Sequence, residues 1–418
     1  MIIDLFKKYI NSFKGFSNEI KALALITFIN RAGTMVVPFL SKYLLENLKF
    51  SYSQIGWVMV FFGLGSLLGT WLSGKLSDKI GFYKVMIFSL FTSGIVFILL
   101  QFANTFYQFC MGVFILTTVS DLYRPAMLLS IETYSKEVDR VSSLSLVRSA
   151  VNFGFLFGPL LGGLIILSLG YNYLFYIDGI TCIFSVLIFY FLIKEKKSLY
   201  KIKDFQFVND KFSIFDDKLF FIHFVVTFIT GLLFFQIFTT LSLYYHEYFK
   251  FSSVECGLFL ALNGVIILIF ELNIVKFIEK KGTNVLKVVA YGLLLMSISY
   301  VFLVINKSIF CLVLMMVFMT IGIMLTFPFA HAFTRSRVIK KHRGQFIAIF
   351  TMSYSIAQIV ATKIGMLIVA KYSYNANWVI LSGIGFVGFI LAYCLVLLAQ
   401  KEQKNNKNKL LKSLFKSG

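Results

Sequence analysis

The sequence predicts an all-α protein built into a membrane, with twelve transmembrane helices in two pseudo-symmetric six-helix bundles. Three observations predict it. Of 418 residues, 58% are hydrophobic and only 14% are charged, whereas a soluble domain carries roughly a quarter charged; the mean hydropathy is +0.83. The apolar residues fall into twelve long runs. The last six runs repeat landmarks of the first six.

A helix needs about 20 apolar residues to cross ~30 Å of hydrocarbon. The runs are 22–45, 53–76, 84–103, 107–133, 143–168, 172–193, 219–245, 254–275, 285–305, 308–333, 344–370 and 375–399. They are too long and too evenly apolar for the alternating ten-residue strands of a barrel. Pro38, Pro125, Pro159 and Pro328 lie inside them and are expected to be tolerated, since neighbouring helices satisfy freed backbone groups. The basic, mixed stretch Met1 to Lys21 has no cleavable-signal pattern and is expected to stay attached. The five cysteines are single and scattered, which suits core packing better than a metal site or disulfides.

The net charge of +21 is read as a topology signal. With the N-terminus in the cytoplasm, most Lys and Arg fall in cytoplasmic segments. Lys42, Lys49, Lys250, Lys307 and Lys371 fall on the other side, and Arg31, Arg124 and Lys363 inside runs. Both termini are then cytoplasmic, and nucleic acid is not an expected partner. The expected organisation is an N-terminal bundle over 1–193, a cytoplasmic linker over 194–218, a C-terminal bundle over 219–400 and a basic tail over 401–418. One constant shift superposes Gly56 on Gly257, Gly63 on Gly264, Asp78 on Glu279, Lys79 on Lys280 and Gly81 on Gly282. A shift two residues longer superposes Pro125 on Pro328, Arg140 on Arg343 and Gly162 on Gly365. Two such halves, each starting on the same side, suit rocking about a central site.

The loop after the second run reads Gly74-Lys75-Leu76-Ser77-Asp78-Lys79-Ile80-Gly81-Phe82-Tyr83-Lys84, with Glu279 and Gly282 at matching places in the second half. Gly74 permits close helix approach, Asp78 suits the N-terminus of a facing helix, Gly81 turns the chain, and Lys79 and Lys84 add cytoplasmic charge. Glu132, near the basic end of the fourth run, is expected to join Lys79. This loop resembles the signature loop of the major facilitator superfamily, with Lys79 where Arg is usual. The fifth run contains Gly154, Gly158, Pro159, Gly162 and Gly163. Small residues four apart let helices pack backbone to backbone. The pattern resembles the fifth-helix motif of antiporters in that superfamily, either as a gate or as a packing face.

Charges inside a membrane are costly and mark ion or substrate paths. Asp121 and Arg124 share one face of the fourth run, and Arg31 lies on the first beside Asn30. Asp121 is expected to exchange a proton under the influence of Arg124 and Arg31, the alternative being a static ion pair. The second half offers Glu271 for proton coupling or substrate, and Lys363. Asn152, Gln236, Asn263 and Gln358 are candidate cavity residues. Asp178 is either a charge partner or a cap, and His223 and His246 are expected at the membrane interface.

The resemblance covers the whole chain and is greatest to the bacterial twelve-span drug:proton antiporters. It implies a monomeric carrier in the cytoplasmic membrane that exports a small molecule against protons, with no cofactor beyond the proton gradient. A proton-coupled symporter for a small anionic or zwitterionic solute, such as a peptide, is the alternative, and a non-transporting sensor is another. No clustered His, Cys or carboxylate set points to an enzyme.

Overall fold

The computed structural model describes residues 16–135, 140–196, 217–337 and 343–414. The side chains of Asp78, Glu132 and Glu279, and most of the linker, lie outside the described residues. All regular structure among the described residues is helical: α1 Asn18–Ala32, α2 Val36–Glu46, α3 Tyr52–Ile80, α4 Phe82–Leu100, α5 Phe106–Ser120, α6 Tyr123–Tyr134, α7 Arg140–Ser168 and α8 Asn172–Leu192. The second half follows with α9 Lys218–Phe235, a 3-10 turn Gln236–Phe238, α10 Thr240–Phe249, α11 Ser253–Lys280, α12 Val285–Ile305, α13 Ile309–Arg337, α14 Arg343–Lys371 and α15 Tyr374–Leu414.

Among the described residues, eleven stretches are long and apolar enough to cross a membrane. The fourth run, divided between α5 and α6, is not among them. The first run is likewise divided, into α1 and α2, and the seventh into α9 and α10. The prolines explain two of these breaks. Pro38 and Pro125 each sit in the first turn of the later segment, where a missing N–H is harmless. A continuous helix would need that N–H for the carbonyls of Thr34 and Asp121. Pro159 and Pro328 instead lie within the continuous helices α7 and α13. Pro328 superposes on Pro125 in the repeat, so the two halves differ at this point.

Contacts divide the chain into two compact units. The first comprises Met1–Asp204, Ile237–Leu268 and Thr362–Ala370. The second comprises Phe205–Gln236, Ile269–Ala361 and Lys371–Gly418. Within the first, α1 packs on α7 and α8, and α4 on α5 and α8. Within the second, α9 packs on α15, and α12 on α13 and α15. The third span of each half thus meets the fourth and the sixth. The repeat also shows in backbone conformation. Gly81 and Gly282 take φ of 89° and 63°, values that glycine adopts without the strain a side chain would bring. Inside the first unit it shows again in packing: a Cβ on Gly56 would lie 3.2 Å from the Lys363 side chain, and one on Gly257 2.4 Å from the Pro159 carbonyl oxygen.

The break in the first span is held by its neighbours. Thr34 Oγ1 donates to the carbonyls of Asn30 and Arg31 at 3.0 and 2.9 Å. Asp178 of α8, fully buried, accepts from the backbone N–H groups of Met35 and Val36 at 3.0 and 2.9 Å. Asp178 is therefore a cap, placed across from the N-terminus of α2, where the helix dipole favours an anion. His223, expected at the interface, is instead fully buried; its Nε2 lies 3.0 Å from Thr334 Oγ1, and its ring is flanked by Phe333 and Phe350.

Asp178→Ala would leave two amides inside the bilayer without acceptors, a cost of about 3 kcal/mol. Thermal melting in detergent should show a marked drop for this variant and a smaller one for Asp178→Asn, which keeps an acceptor. Wild-type melting of Asp178→Ala would contradict the capping role.

Candidate functional site

The interruptions of the first and fourth spans place chemistry-bearing residues together. Asp121 closes α5 with its backbone N–H bonded to the Thr117 carbonyl at 3.0 Å. Ser66 of α3 is the polar neighbour of its carboxylate, and Arg31 and Arg124 are the charged ones. Arg31 ends α1 and Arg124 begins α6, so both guanidiniums spring from helix ends created by the breaks. Arg124 also feels Arg148 of α7. The wall continues through Tyr123, whose hydroxyl lies 3.4 Å from Thr27 Oγ1, and through Asn30, whose amide points at Cys182 Sγ, 3.6 Å away. The three residues singled out in the sequence, Asp121, Arg124 and Arg31, thus share one site.

The α7 glycines hold this geometry. A Cβ on Gly154 would fall 2.3 Å from Arg31 Cβ, and one on Gly158 3.3 Å from the Arg31 carbonyl oxygen. On Gly162 it would meet Phe39 and Met35 at 3.0 and 3.1 Å, and on Gly163 the Ser253 carbonyl oxygen at 2.5 Å. One helix therefore seats the broken first span with three of its glycines and the start of α11 with the fourth. Gly264 presses on Leu156 in the same way. Asn152 is half-buried on the same helix.

The remaining candidates are more dispersed. Gln236, fully buried at the end of α9, donates to the Ala361 carbonyl at 2.9 Å. It is satisfied by the backbone that Thr362 continues. Asn263 of α11, Glu271 of α11 and Gln358 of α14 are half-buried. Lys363 runs towards the start of α3: its ammonium donates to the Ser53 carbonyl at 3.2 Å and sits 4.2 Å from the centre of the Trp57 ring. In the signature loop, a Cβ on Gly74 would meet nothing within 4 Å, so this glycine does not mark the close approach expected of it. Lys79 ends α3 exposed, and Lys84 lies 3.9 Å from Glu195 with both side chains largely in solvent, a pair worth little.

Sequence reasoning missed a polar cluster at the end of the first unit where α2 and α10 finish and α3 and α11 begin. Lys42, expected with the lysines on the side opposite the cytoplasm, is 2% exposed. Its ammonium donates to Ser253 Oγ at 3.2 Å and lies 4.0 Å from Glu46. Glu46 also pairs with His246 and accepts from Tyr171 at 2.7 Å. Beside it, the Tyr52 hydroxyl reaches both oxygens of Glu247 at 2.6 and 2.7 Å. The signal available in the sequence was the pairing of Lys42 with Glu46 one helical turn apart, at a span end that faces no other charge run.

A second clamp lies in the other unit. Arg337, at the end of α13, donates to Asp217 at 3.0 and 2.7 Å and to Glu402 at 2.6 and 3.4 Å. Asp217 also caps α9 by accepting from Leu219 and Phe220. Partial burial alone would draw the guanidinium down, but the bonds to Glu402 and Asp217 raise its pKa overall, so Arg337 stays charged throughout. At the matching place in the first half, Ser17 donates to the Tyr134 carbonyl at 3.2 Å, Tyr134 donates to the Lys194 carbonyl at 2.5 Å, and Lys196 pairs with Glu19 at 3.3 Å.

Glu46→Ala removes the carboxylate partner of buried Lys42 and of His246, and stranding a buried cation costs about 3 kcal/mol. The melting temperature should fall accordingly, and Tyr171→Phe should cost about 1 kcal/mol. An unchanged melting temperature for Glu46→Ala would show the cluster to be idle.

Comparison with known proteins fits this architecture. The family model of the Major Facilitator Superfamily matches residues 23–362 and 284–418. An uncharacterized MFS-type transporter of Bacillus subtilis (strain 168), YuxJ, is 29% identical over 176 residues, covering 40% of this chain and 44% of that protein. An uncharacterized transporter of Buchnera aphidicola subsp. Schizaphis graminum (strain Sg) is 26% identical over 235 residues, covering 54% and 59%. The chain thus spans about half the length of these curated relatives. Among solved structures, the peptide transporter POT in complex with sulfate aligns with TM-score 0.81 at 14% identity, covering 93% of this chain and 96% of that one. The nucleoside transporter NupG aligns with TM-score 0.73 at 18% identity, covering 91% and 99%. At such identities the likeness is one of fold. With the family model spanning nearly all of it and the repeat visible in its packing, this chain belongs to the Major Facilitator Superfamily of membrane transporters.

Proposed function

We propose that the chain is a proton-coupled secondary transporter that moves a small molecule across the cytoplasmic membrane by alternating access, with Asp121 as the proton site. One observation carries this: a carboxylate sits at a break in a membrane helix, with Ser66, Arg31 and Arg124 as its neighbours. An acid beside two cations changes the charge of the wall by a full unit when it takes a proton, and such residues line ion paths in transporters. The sequence repeat supports alternating access, the general mode of carriers built from repeated helix bundles. The lysine-rich segments support an orientation with both termini in the cytoplasm, which would put the Lys42–Glu46–His246 cluster at the outer end, and the carrier acts as a monomer.

Export against protons is supported by the resemblance of the fifth span to antiporters. Uptake together with a proton is supported by the two arginines. Protonating Asp121 frees them for an anion, so proton and anion bind cooperatively and travel together.

Reconstituted into proteoliposomes with an imposed pH gradient, the wild-type protein should accumulate its substrate, inward or outward according to the gradient. Asp121→Asn should reduce gradient-driven accumulation by at least about tenfold, a factor carried by ~1.4 kcal/mol, while substrate exchange without a gradient persists. Undiminished proton-driven accumulation by Asp121→Asn would discard Asp121 as the proton site.

A further inference from the structure

At the end of the first unit where α2 and α10 finish, the hydrogen bonds around one histidine count its protons. Helix α10 stops at Phe249 because Lys250 takes a φ of 57°, and the turn brings the Phe251 N–H onto the Tyr245 carbonyl at 3.2 Å. The same turn sets the Phe251 carbonyl oxygen 3.2 Å from Nδ1 of His246. His246 lies in the last turn of α10, where the helix dipole favours a cation. On the other side of the ring, Nε2 faces Oε1 of Glu46 at the end of α2.

A carbonyl oxygen accepts and cannot donate, and the same holds for an ionised carboxylate. A neutral imidazole has a single N–H. Both contacts are hydrogen bonds only when the pair holds one proton more than a neutral ring beside a carboxylate, whether that proton sits on Nε2 or on Glu46. Water reaches the pair, since the side chains of His246 and Glu46 are 33% and 27% exposed.

The surroundings decide what is lost with that proton. On α2, the Lys42 ammonium lies 4.0 Å from Glu46 and donates to Ser253 of α11 at 3.2 Å. Just before α8, the Tyr171 hydroxyl donates to the second oxygen of Glu46 at 2.7 Å; burial and that carboxylate push it above the ordinary tyrosine range, so it remains a donor. Of the other acids, Glu247 of α10 accepts from Tyr52 of α3, and Glu255 of α11 from the amide and hydroxyl of Ser252. Cys256 of α11 is buried close enough to feel Lys42, Glu255 and Glu46, and Lys250 is exposed. When the extra proton leaves, Glu46 keeps Lys42 and Tyr171, and its bond to α10 alone is broken. Deeper in the unit, Ser242 of α10 still donates to the Pro38 carbonyl of α2 at 3.1 Å, so the loosening is confined to the helix ends.

We infer that His246 and Glu46 form a proton-binding site separate from Asp121, and that its proton fastens the end of α10 to the end of α2. Acid makes the bond and rising pH releases it, the proton passing to water. Histidine changes charge between about pH 5 and 8, which sets the window to search.

Two readouts on the full chain in lipid nanodiscs test this. In a chain carrying 15N-histidine, the resonances lost in His246→Gln should report two protonated ring nitrogens at about pH 5 and one at about pH 9. For the helix ends, nitroxides are placed at the exposed positions Asn47 and Tyr248, through Asn47→Cys and Tyr248→Cys in a chain whose native cysteines are replaced by serine. Their dipolar broadening should be strong in acid and fall as the pH rises. His246→Gln should show the weak coupling throughout, and His246→Lys, which keeps a cation facing Glu46, the strong coupling throughout. Asp121→Asn should respond to pH as the parent chain does. Melting curves verify folding, and the resonance assay stands by itself should the cysteine-free chain fail to fold. A ring that stays neutral at about pH 5 or doubly protonated at about pH 9 would overturn the inference. So would a spin coupling that ignores pH, one that still follows pH in His246→Gln, or one whose response vanishes in Asp121→Asn, which would assign the proton to that acid instead.

Discussion

A helix interrupted inside a bilayer exposes backbone groups that no water can satisfy, and the rest of this structure depends on how those groups are met. In the first span the answer is Asp178. Its carboxylate takes the two leading N–H groups of α2, while Thr34 covers the last carbonyls of α1. An isolated buried carboxylate costs several kcal/mol. Two backbone donors and the positive end of a helix offset that cost. Because the break is satisfied from α8, the chain is free to end α1 on Arg31 without unravelling. The fourth span is broken at the same kind of place by Pro125, and there Asp121 and Arg124 emerge.

The second half shows what happens without the acid. Pro328 holds the place of Pro125, yet α13 runs unbroken from Ile309 to Arg337. The duplication has kept the packing of third, fourth and sixth spans and the turn glycines Gly81 and Gly282. It has not kept the fourth-span charges: Met324 and Phe327 stand where Asp121 and Arg124 do, and buried hydrophobic and aromatic side chains, with His223 stacked among them, pack in that half. The chemistry is concentrated on one wall of the first unit. The charged groups of the second unit that are brought together most tightly, Arg337 with Asp217 and Glu402, brace helix ends instead.

Much of this was legible in the sequence because it rests on composition and local pattern. Long apolar runs, matched glycines and the fourth-span pair of Asp121 and Arg124 require no knowledge of neighbours. What could not be read depends on residues far apart in the chain. Asp178 is indistinguishable from a charge partner until Met35 and Val36 are seen to point at it, 143 and 142 residues away. Lys42 is one of the lysines opposite the cytoplasm until Ser253, 211 residues later, is found beside it. Gly74 fits a signature, yet in this structure nothing approaches it. Of the four prolines, sequence spacing alone did not separate the two that break helices from the two that do not.

The proposed role of Asp121 requires that it and Arg31 act as one coupled unit rather than as two separate membrane charges. A double-mutant cycle on transport measures this most directly, comparing Arg31→Gln, Asp121→Asn and the pair. Residues in one network do not add, with interaction energies of about 0.5–3 kcal/mol. Coupling makes the double variant lose no more activity than the worse single one, and losses that simply sum would rule coupling out.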